Sequence, residues 1–437
     1  MYKLRFTVSF FLLILFISLS YAQSNLSGDS LSLTDIIRQV INNYPSVLKA
    51  EQEIETANAR IGLSKSAYYP LLNFSASYTR IGPVTSLTIP TLGTFTMNSA
   101  NNYNLELNLR QLITDFGKTS KEVNLEKQNK LLSQLTVEQL KQQLSLSLLN
   151  HYYSILYLQE AINIKNEELK TLGEHLTFVE KKEATGSSTQ YAVLSTQVRI
   201  SATENQKVDL QTALQVLQTQ LNSFLGNPQA QSLTVKAVLL QPAVLESDEK
   251  LINNAYLQRE ELKITQQRAE IAAAHYRLAS TSLYPELDLF AAGGFKNGYI
   301  PDLNKLTPNY VAGVSFKWTF FDGLRIKYNR QRAQSEIKSV EQDKELTSRN
   351  IANEVIENRT NVDAAFKKIM QQELQLKQAQ KAYELAQTSF LAGTVTNLDL
   401  LDSETALAES RLALMKSKID YTVSLLKLKI STGERIY

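Results

Sequence analysis

The sequence predicts a membrane α+β protein with an internal twofold repeat. Each chain would give four strands to a transmembrane β-barrel that further subunits complete, and the barrel would continue into a periplasmic coiled coil. Three observations predict this. No proline lies between Pro90 and Pro228 or after Pro308, which leaves two stretches of over 100 residues free for helix. Four segments of about ten residues alternate apolar and polar side chains. A set of landmark residues occurs twice at fixed spacing.

The N-terminus reads as a targeting segment. Lys3 and Arg5 precede an apolar run, and Ser20-Tyr21-Ala22 ends on a small residue, so a signal peptide over 1–22 is expected. The run is short for a retained anchor. Without Lys3 and Arg5, the 46 basic residues fall to 44 against 43 acids. A near-neutral chain excludes a general nucleic-acid footprint. The chain has no cysteine, so disulfides, thiolate metal sites, catalytic thiols and a lipidated cysteine are excluded. No later apolar run is long enough for a membrane helix, so any insertion must be by strands.

The repeat shows in order and spacing. Tyr69-Pro70 recurs as Tyr284-Pro285, Asp115-Phe116-Gly117 as Asp322-Gly323-Leu324, and Ala184-Thr185-Gly186 as Leu391-Ala392-Gly393. Asp115 to Gly186 is 71 residues, and so is Asp322 to Gly393. Two structural repeats are expected over 23–227 and 228–437, with an equatorial segment at 228–248 opening the second.

Each repeat reads as helix, strand pair, long helix and returning helix. The first is expected as Ser32–Ser66, strands within about 70–114, Lys118–Thr185 and Thr189–Phe224. The second is expected as Ser247–Ser282, strands within about 285–321, Arg325–Leu391 and Asn397–Ser431. Val137, Leu140, Leu144, Leu148, Tyr152, Ile155, Leu158 and Ile162 keep the 3-and-4 spacing of one buried helical stripe. At 1.5 Å per residue the long helices would extend about 100 Å. Gly186 and Gly393 break them, so the next helices run back antiparallel. The two shorter helices of each repeat together match the long one in length, and they stack end to end beside it, with the joint midway.

The strands follow a period of two. Leu72, Phe74, Ala76 and Tyr78 oppose Asn73, Ser75 and Ser77, and Tyr103, Leu105, Leu107 and Leu109 oppose Asn104, Glu106, Asn108 and Arg110. Leu287, Leu289 and Ala291 oppose Glu286 and Asp288, and Tyr310 to Phe320 alternates likewise. A soluble one-sided sheet would need an apolar domain to cover, and the chain has none, whereas a lipid-facing barrel needs nothing more. Four strands cannot close a barrel and open edges are not tolerated in lipid, so two subunits with eight strands or three with twelve are required. The strand hairpins turn at 81–102 and 297–309, both rich in Gly, Pro, Asn and Thr, and these are expected to be the outer loops.

Taken together, these landmarks resemble the TolC-type outer-membrane efflux proteins over nearly the whole chain. The resemblance implies a homotrimer in which a 12-stranded transmembrane β-barrel continues into a long periplasmic α-helical tunnel. It implies an exit duct in the bacterial outer membrane for a tripartite efflux pump. Its partners would be outer-membrane lipid, a periplasmic adaptor, and an inner-membrane transporter of the RND or ABC type. A type I protein-secretion duct and a metal-efflux duct stay open as alternatives. A non-pore periplasmic coiled-coil scaffold is the alternative of a different class. No cofactor is implied, and there is no phosphate-binding loop, nucleophile elbow or zinc motif to suggest an enzyme.

The resemblance also places a pore constriction at Asp399 and Asp402. Thr396-Asn397-Leu398-Asp399 reads independently as a helix capping box, so Asp399 has a structural reason to be acidic. Asp402 lies one turn further in. Three copies of the pair would ring a narrow mouth with six carboxylates, which favours cations. The tip residues Gly186, Ser187, Thr189, Tyr191, Gly393, Thr394, Val395 and Thr396 read either as plain hairpin packing or, by resemblance, as the adaptor contact. Two positions depart from the family pattern: Val395 stands where a basic gate residue is usual, and Ala192 where an acid is common. The salt links that those residues make elsewhere are therefore not expected here. His151, His175 and His275 are scattered, without metal-ligand spacing, and read as polar helix positions.

Overall fold

The computed structural model describes residues 31–227, 233–236 and 238–437. The expected signal peptide at 1–22 and part of the segment 228–248 lie outside the described residues. Among the described residues, no helix is long and apolar enough to cross a membrane.

The chain opens with α1 (Leu33–Asn43) and α2 (Pro45–Ser66), where one helix was expected. Pro45 lacks an N–H and disfavours helix at the residue before it, so Tyr44 is extended at φ −72°, ψ 129°. The expected helix over 247–282 is likewise broken, into α5 (Asp248–Gln258) and α6 (Glu260–Ser280), followed by a 3-10 turn at Thr281–Leu283. Here no proline is present, and Arg259 takes φ −62°, ψ 129°. Both breaks come 12 residues after a capping-position serine, Ser32 or Ser247. Arg259 shows what holds the second one. Its buried guanidinium donates to both oxygens of Glu261 at 2.8 Å, and to the Ser431 carbonyl at 3.3 Å, and it pairs with Glu354 at 3.0 Å.

The long helices are α3 (Lys118–Ala184) and α7 (Arg325–Leu391), each of 67 residues. Both begin from an aspartate four residues before a free helical N–H. Asp115 accepts from Thr119 N at 2.7 Å and Asp322 from Ile326 N at 2.9 Å. Two successive residues with positive φ precede each helix, Phe116-Gly117 and Gly323-Leu324. The returning helices are α4 (Gln190–Leu225) and α8 (Asn397–Ser431).

The core is a seam between helices, thickest at mid-height. Tyr152, near the midpoint of α3, is fully buried among Ile36, Ile37 and Val40 of α1, Leu221 of α4 and Ile419 of α8. Its hydroxyl donates to Lys236 O at 2.6 Å, and that of Tyr153 to Val238 O at 3.0 Å. Leu31 adds a parallel bridge to Val235. Val235, Lys236 and Val238 are thus held against α1 and the middle of α3.

One antiparallel sheet runs in the order β1 (Leu71–Arg80), β4 (Asn101–Thr114), β5 (Glu286–Lys296), β6 (Thr307–Lys317). Its register puts Leu72, Phe74, Leu105, Leu107, Leu289, Val314 and Phe316 on one face. Asn73, Ser75, Asn104, Glu106, Asn108, Asp288 and Ser315 take the other. Arg110 pairs with Asp288 at 2.9 Å on that polar face. Gly294 is required at the β4–β5 crossing, where a Cβ would collide with the Leu105 carbonyl oxygen. One edge of β1 and one of β6 are unpaired within the sheet.

Two details of the strands were not read from the sequence. The first outer loop holds a hairpin, β2 (Ser86–Ile89) with β3 (Gly93–Thr96), because Leu87, Ile89 and Phe95 alternate with threonines over a turn at Thr91. The fourth strand ends at Lys317 rather than Phe320. Trp318 turns its indole N–H to Leu283 O at 3.1 Å and leaves the ladder.

Candidate functional site

The two hairpin tips are built alike. In each, a long helix ends in a glycine with positive φ, 78° at Gly186 and 77° at Gly393. The next amide bonds back five residues, Ser187 N to Lys182 O at 2.8 Å and Thr394 N to Ser389 O at 2.9 Å. This satisfies two last-turn carbonyls and needs a residue without a Cβ. Three residues after each glycine a threonine caps the returning helix: Thr189 accepts from Ala192 N at 3.3 Å, and Thr396 from Asp399 N at 3.2 Å.

The tips differ at the third residue of that helix. Asp399 completes the expected capping box, accepting from Thr396 N at 2.9 Å and Thr396 Oγ1 at 2.6 Å. Those bonds, the hydroxyl first, hold its carboxyl below the ordinary aspartate range. Ala192 occupies the same place on α4 and caps nothing.

Asp402 is not free. Arg199 Nη2 donates to its Oδ1 at 2.8 Å, tying α4 to α8. The Val395 and Ala192 departures therefore do not leave the tip without a charged link. The link comes instead from a base on the first hairpin and an acid on the second. The tip glycines with Ser187, Thr394, Thr189, Tyr191 and Thr396 are exposed, while Val395 is half-buried. Tyr191, at 71% exposure, is the largest apolar surface among them.

The strongest tie between the hairpins is one that sequence reasoning missed. Asn397 lies half-buried between α3, α4 and α8. Its Nδ2 faces Ala192 O at 3.2 Å, Ser195 Oγ at 3.1 Å and Thr196 Oγ1 at 3.2 Å, and its Oδ1 meets His175 Nε2 at 2.7 Å. Burial holds His175 below the usual imidazole range, more than the Asn397 bond raises it. A neutral ring then donates Nε2–H to the amide oxygen. The same ring packs edge-on against Phe390 of α7 at 5.2 Å. His175 was expected to be an ordinary polar helix position, and nothing in its local sequence marks it otherwise.

Above this cluster a cleft of about 410 Å³ opens between α3, α7 and α8, lined by Glu168, Glu174, Tyr383, Glu404 and Arg411 among others. Lys165 and Glu168 form a buried pair at 2.7 Å beside it. Among the described residues no group of three or more His, Cys, Asp or Glu side chains is arranged to hold a metal ion.

Comparison with known proteins adds to this geometry. The family model described as "Outer membrane efflux protein" matches residues 36–227 and 251–434. The chain is 22% identical to the outer membrane protein TolC of Vibrio cholerae over 429 residues, 97% of this chain and 95% of that one. It is 23% identical to the alkaline protease secretion protein AprF of Pseudomonas aeruginosa over 415 residues, covering 92% and 85% of the two chains. Its fold is similar to the crystal structure of the outer membrane protein VceC of Vibrio cholerae, with a TM-score of 0.76 at 20% identity over 93% of this chain and 97% of that one.

Proposed function

The chain belongs to the outer membrane efflux protein family, and from that premise we propose that it is the outer-membrane exit duct of a tripartite efflux pump. The observation that carries this is the sheet. Its four strands share one apolar face in continuous register, with an unpaired edge on each side. The opposite face is polar over β1 and β4 and mixed over β5 and β6, where Phe290 and Val311 lie beside Asp288 and Ser315. Lipid tolerates neither open edge, so copies of the chain join β1 of one to β6 of the next. Three copies give twelve strands, with the apolar rows to lipid and the polar rows to a water-filled lumen. The helices, about 100 Å long at 1.5 Å per residue, carry that lumen through the periplasm. Residues 23–227 and 228–437 then act as two repeats of one plan, which the equal 67-residue helices and matching tips support. The chain does no chemistry of its own, and an inner-membrane transporter of the RND or ABC type, reached through a periplasmic adaptor, supplies the energy.

The tip is the gate. Opening it requires the α7–α8 hairpin to part from the α3–α4 hairpin, and the ties nearest the turns are Arg199–Asp402 and the Asn397 cluster, with Arg411–Glu167 further up. Asp402, with Asp399 beside it, faces the constriction, and its pairing with Arg199 halves the free acid there. The exposed turns Gly186, Ser187, Thr189 and Tyr191, with Gly393 to Thr396, are the adaptor contact. Similarity to a protease secretion protein makes a type I secretion duct the second reading; a scaffold without a pore would need no polar row on the sheet.

The test is planar-bilayer recording of the reconstituted protein. A voltage-stable pore is expected, and an absence of conductance refutes the duct. A partly exposed ion pair contributes about 0.3–1 kcal/mol. Three copies of Arg199→Gln should then raise open probability between about fivefold and a hundredfold. Asp402→Ala should do the same and lower cation preference.

A further inference from the structure

Glu404 has no role in the ties described above, yet it is the most anomalous side chain near them. It lies two residues beyond Asp402 on α8 and is only 6% exposed. Its Oε1 is buried and has no hydrogen-bond partner among the described residues. A buried carboxylate without a partner is costly, so something must answer it.

The surrounding cations are mostly committed. On α3, Lys165 is held by Glu168 at 2.7 Å, and Glu168 also accepts from Thr203 of α4 at 3.3 Å. On α8, Arg411 is held by Glu167 at 3.1 Å. Lys170 lines the cleft from an exposed position on α3. Glu174 of α3 and Tyr383 of α7 complete the titratable lining and bring no positive charge. The cation whose field reaches Glu404 is Arg199 of α4, whose guanidinium is bonded to Asp402.

We infer that Glu404 is a second seat for Arg199, which ties the hairpins through Asp402 while Glu404 is neutral and is drawn inward to Glu404 when that carboxyl ionises. Arg199 is thus a positioning residue of the gate, and Glu404 decides which of its two positions it takes. This rests on the reading of Asp402, paired with Arg199, as facing the constriction.

Burial first, and Glu168 second, push the Glu404 carboxyl up to about 7, while Arg199 pulls the other way. A raised carboxyl favours the neutral form, so the neutral, tied state is complete well below pH 7. Ionisation, and with it release of Asp402, grows as pH rises through about 7.

The experiment uses the full-length protein in planar bilayers at pH 6 and pH 8 on both sides. Because Glu404 and Asp402 share α8, Arg199 joins α4 to α8 from either seat, and what ionisation frees is the Asp402 carboxylate. The wild type should show a cation preference, read from reversal potential, at pH 8 about threefold or more above that at pH 6. Glu404→Gln should stay at the pH 6 level at both values, and Glu404→Met, a second neutral variant of similar length, should repeat it. Arg199→Gln should be high at both. A wild type with no pH response, or a Glu404→Gln channel that keeps the wild-type response, overturns the inference. Arg199→Gln behaving as wild type overturns the tie itself.

Discussion

Replacing Asn397 with alanine should loosen the tip more than replacing any charged residue there. The amide has two N–H groups for three acceptors, Ala192 O, Ser195 Oγ and Thr196 Oγ1, so at most two of these bonds are made at once. The oxygen adds one from His175 at 2.7 Å. About three bonds at about 1 kcal/mol each come to about 3 kcal/mol. They join α3 and α4 to the first turn of α8, so the loss falls on separation of the hairpins rather than on global unfolding. Three kcal/mol is about a hundredfold in a local opening equilibrium. Hydrogen exchange of the reconstituted protein, followed by mass spectrometry, should show peptides covering 190–198 and 397–404 exchanging about a hundredfold faster. Peptides around Tyr152 should be unchanged, because the mid-height core is untouched. Wild-type protection at both tip segments would refute the assignment of Asn397 as the main tie.

Two further predictions concern other elements. Asp399→Ala removes the acceptor for Thr396 N, so exchange over the first turn of α8 should quicken. Reversal potential in bilayers should move far less than in Asp402→Ala; an equal shift in the two variants would show that Asp399 does more than cap. Gly294→Val drives a Cβ into the Leu105 carbonyl, which cannot move without breaking the β4–β5 ladder. Overpacking of this kind costs about 3 kcal/mol. The folded form that resists dissociation on unheated gels should be lost, and wild-type migration would refute the close approach as a constraint.

Much of this architecture was legible in the linear sequence because its signals are local. The positions of Asp115 and Gly186, and of Asp322 and Gly393, fixed the ends of α3 and α7. A capping carboxylate and a residue without a Cβ act within four or five positions of themselves. Strand alternation fixed which side chains share a face, since that period belongs to the backbone. The break at Tyr44 was also legible, through Pro45, and was missed. The break at Arg259 was not. It depends on Glu354 and Ser431, which are brought there only by α7 and α8.

By itself, the sequence determined the lengths of the two long helices and of the helices that return from them, the chemistry of the turns between them, and which strand side chains share a face. Each of these follows from interactions over a few residues. Only the tertiary structure decided that Arg199 would meet Asp402, that Asn397 would gather His175 and Thr196, and that Glu404 would be buried without a partner. These contacts join residues up to 222 positions apart. They are set by the rotational phase and axial offset of one helix hairpin against another. An error of one residue in that offset turns a side chain by about 100° around its helix, and no local pattern carries the information to fix it.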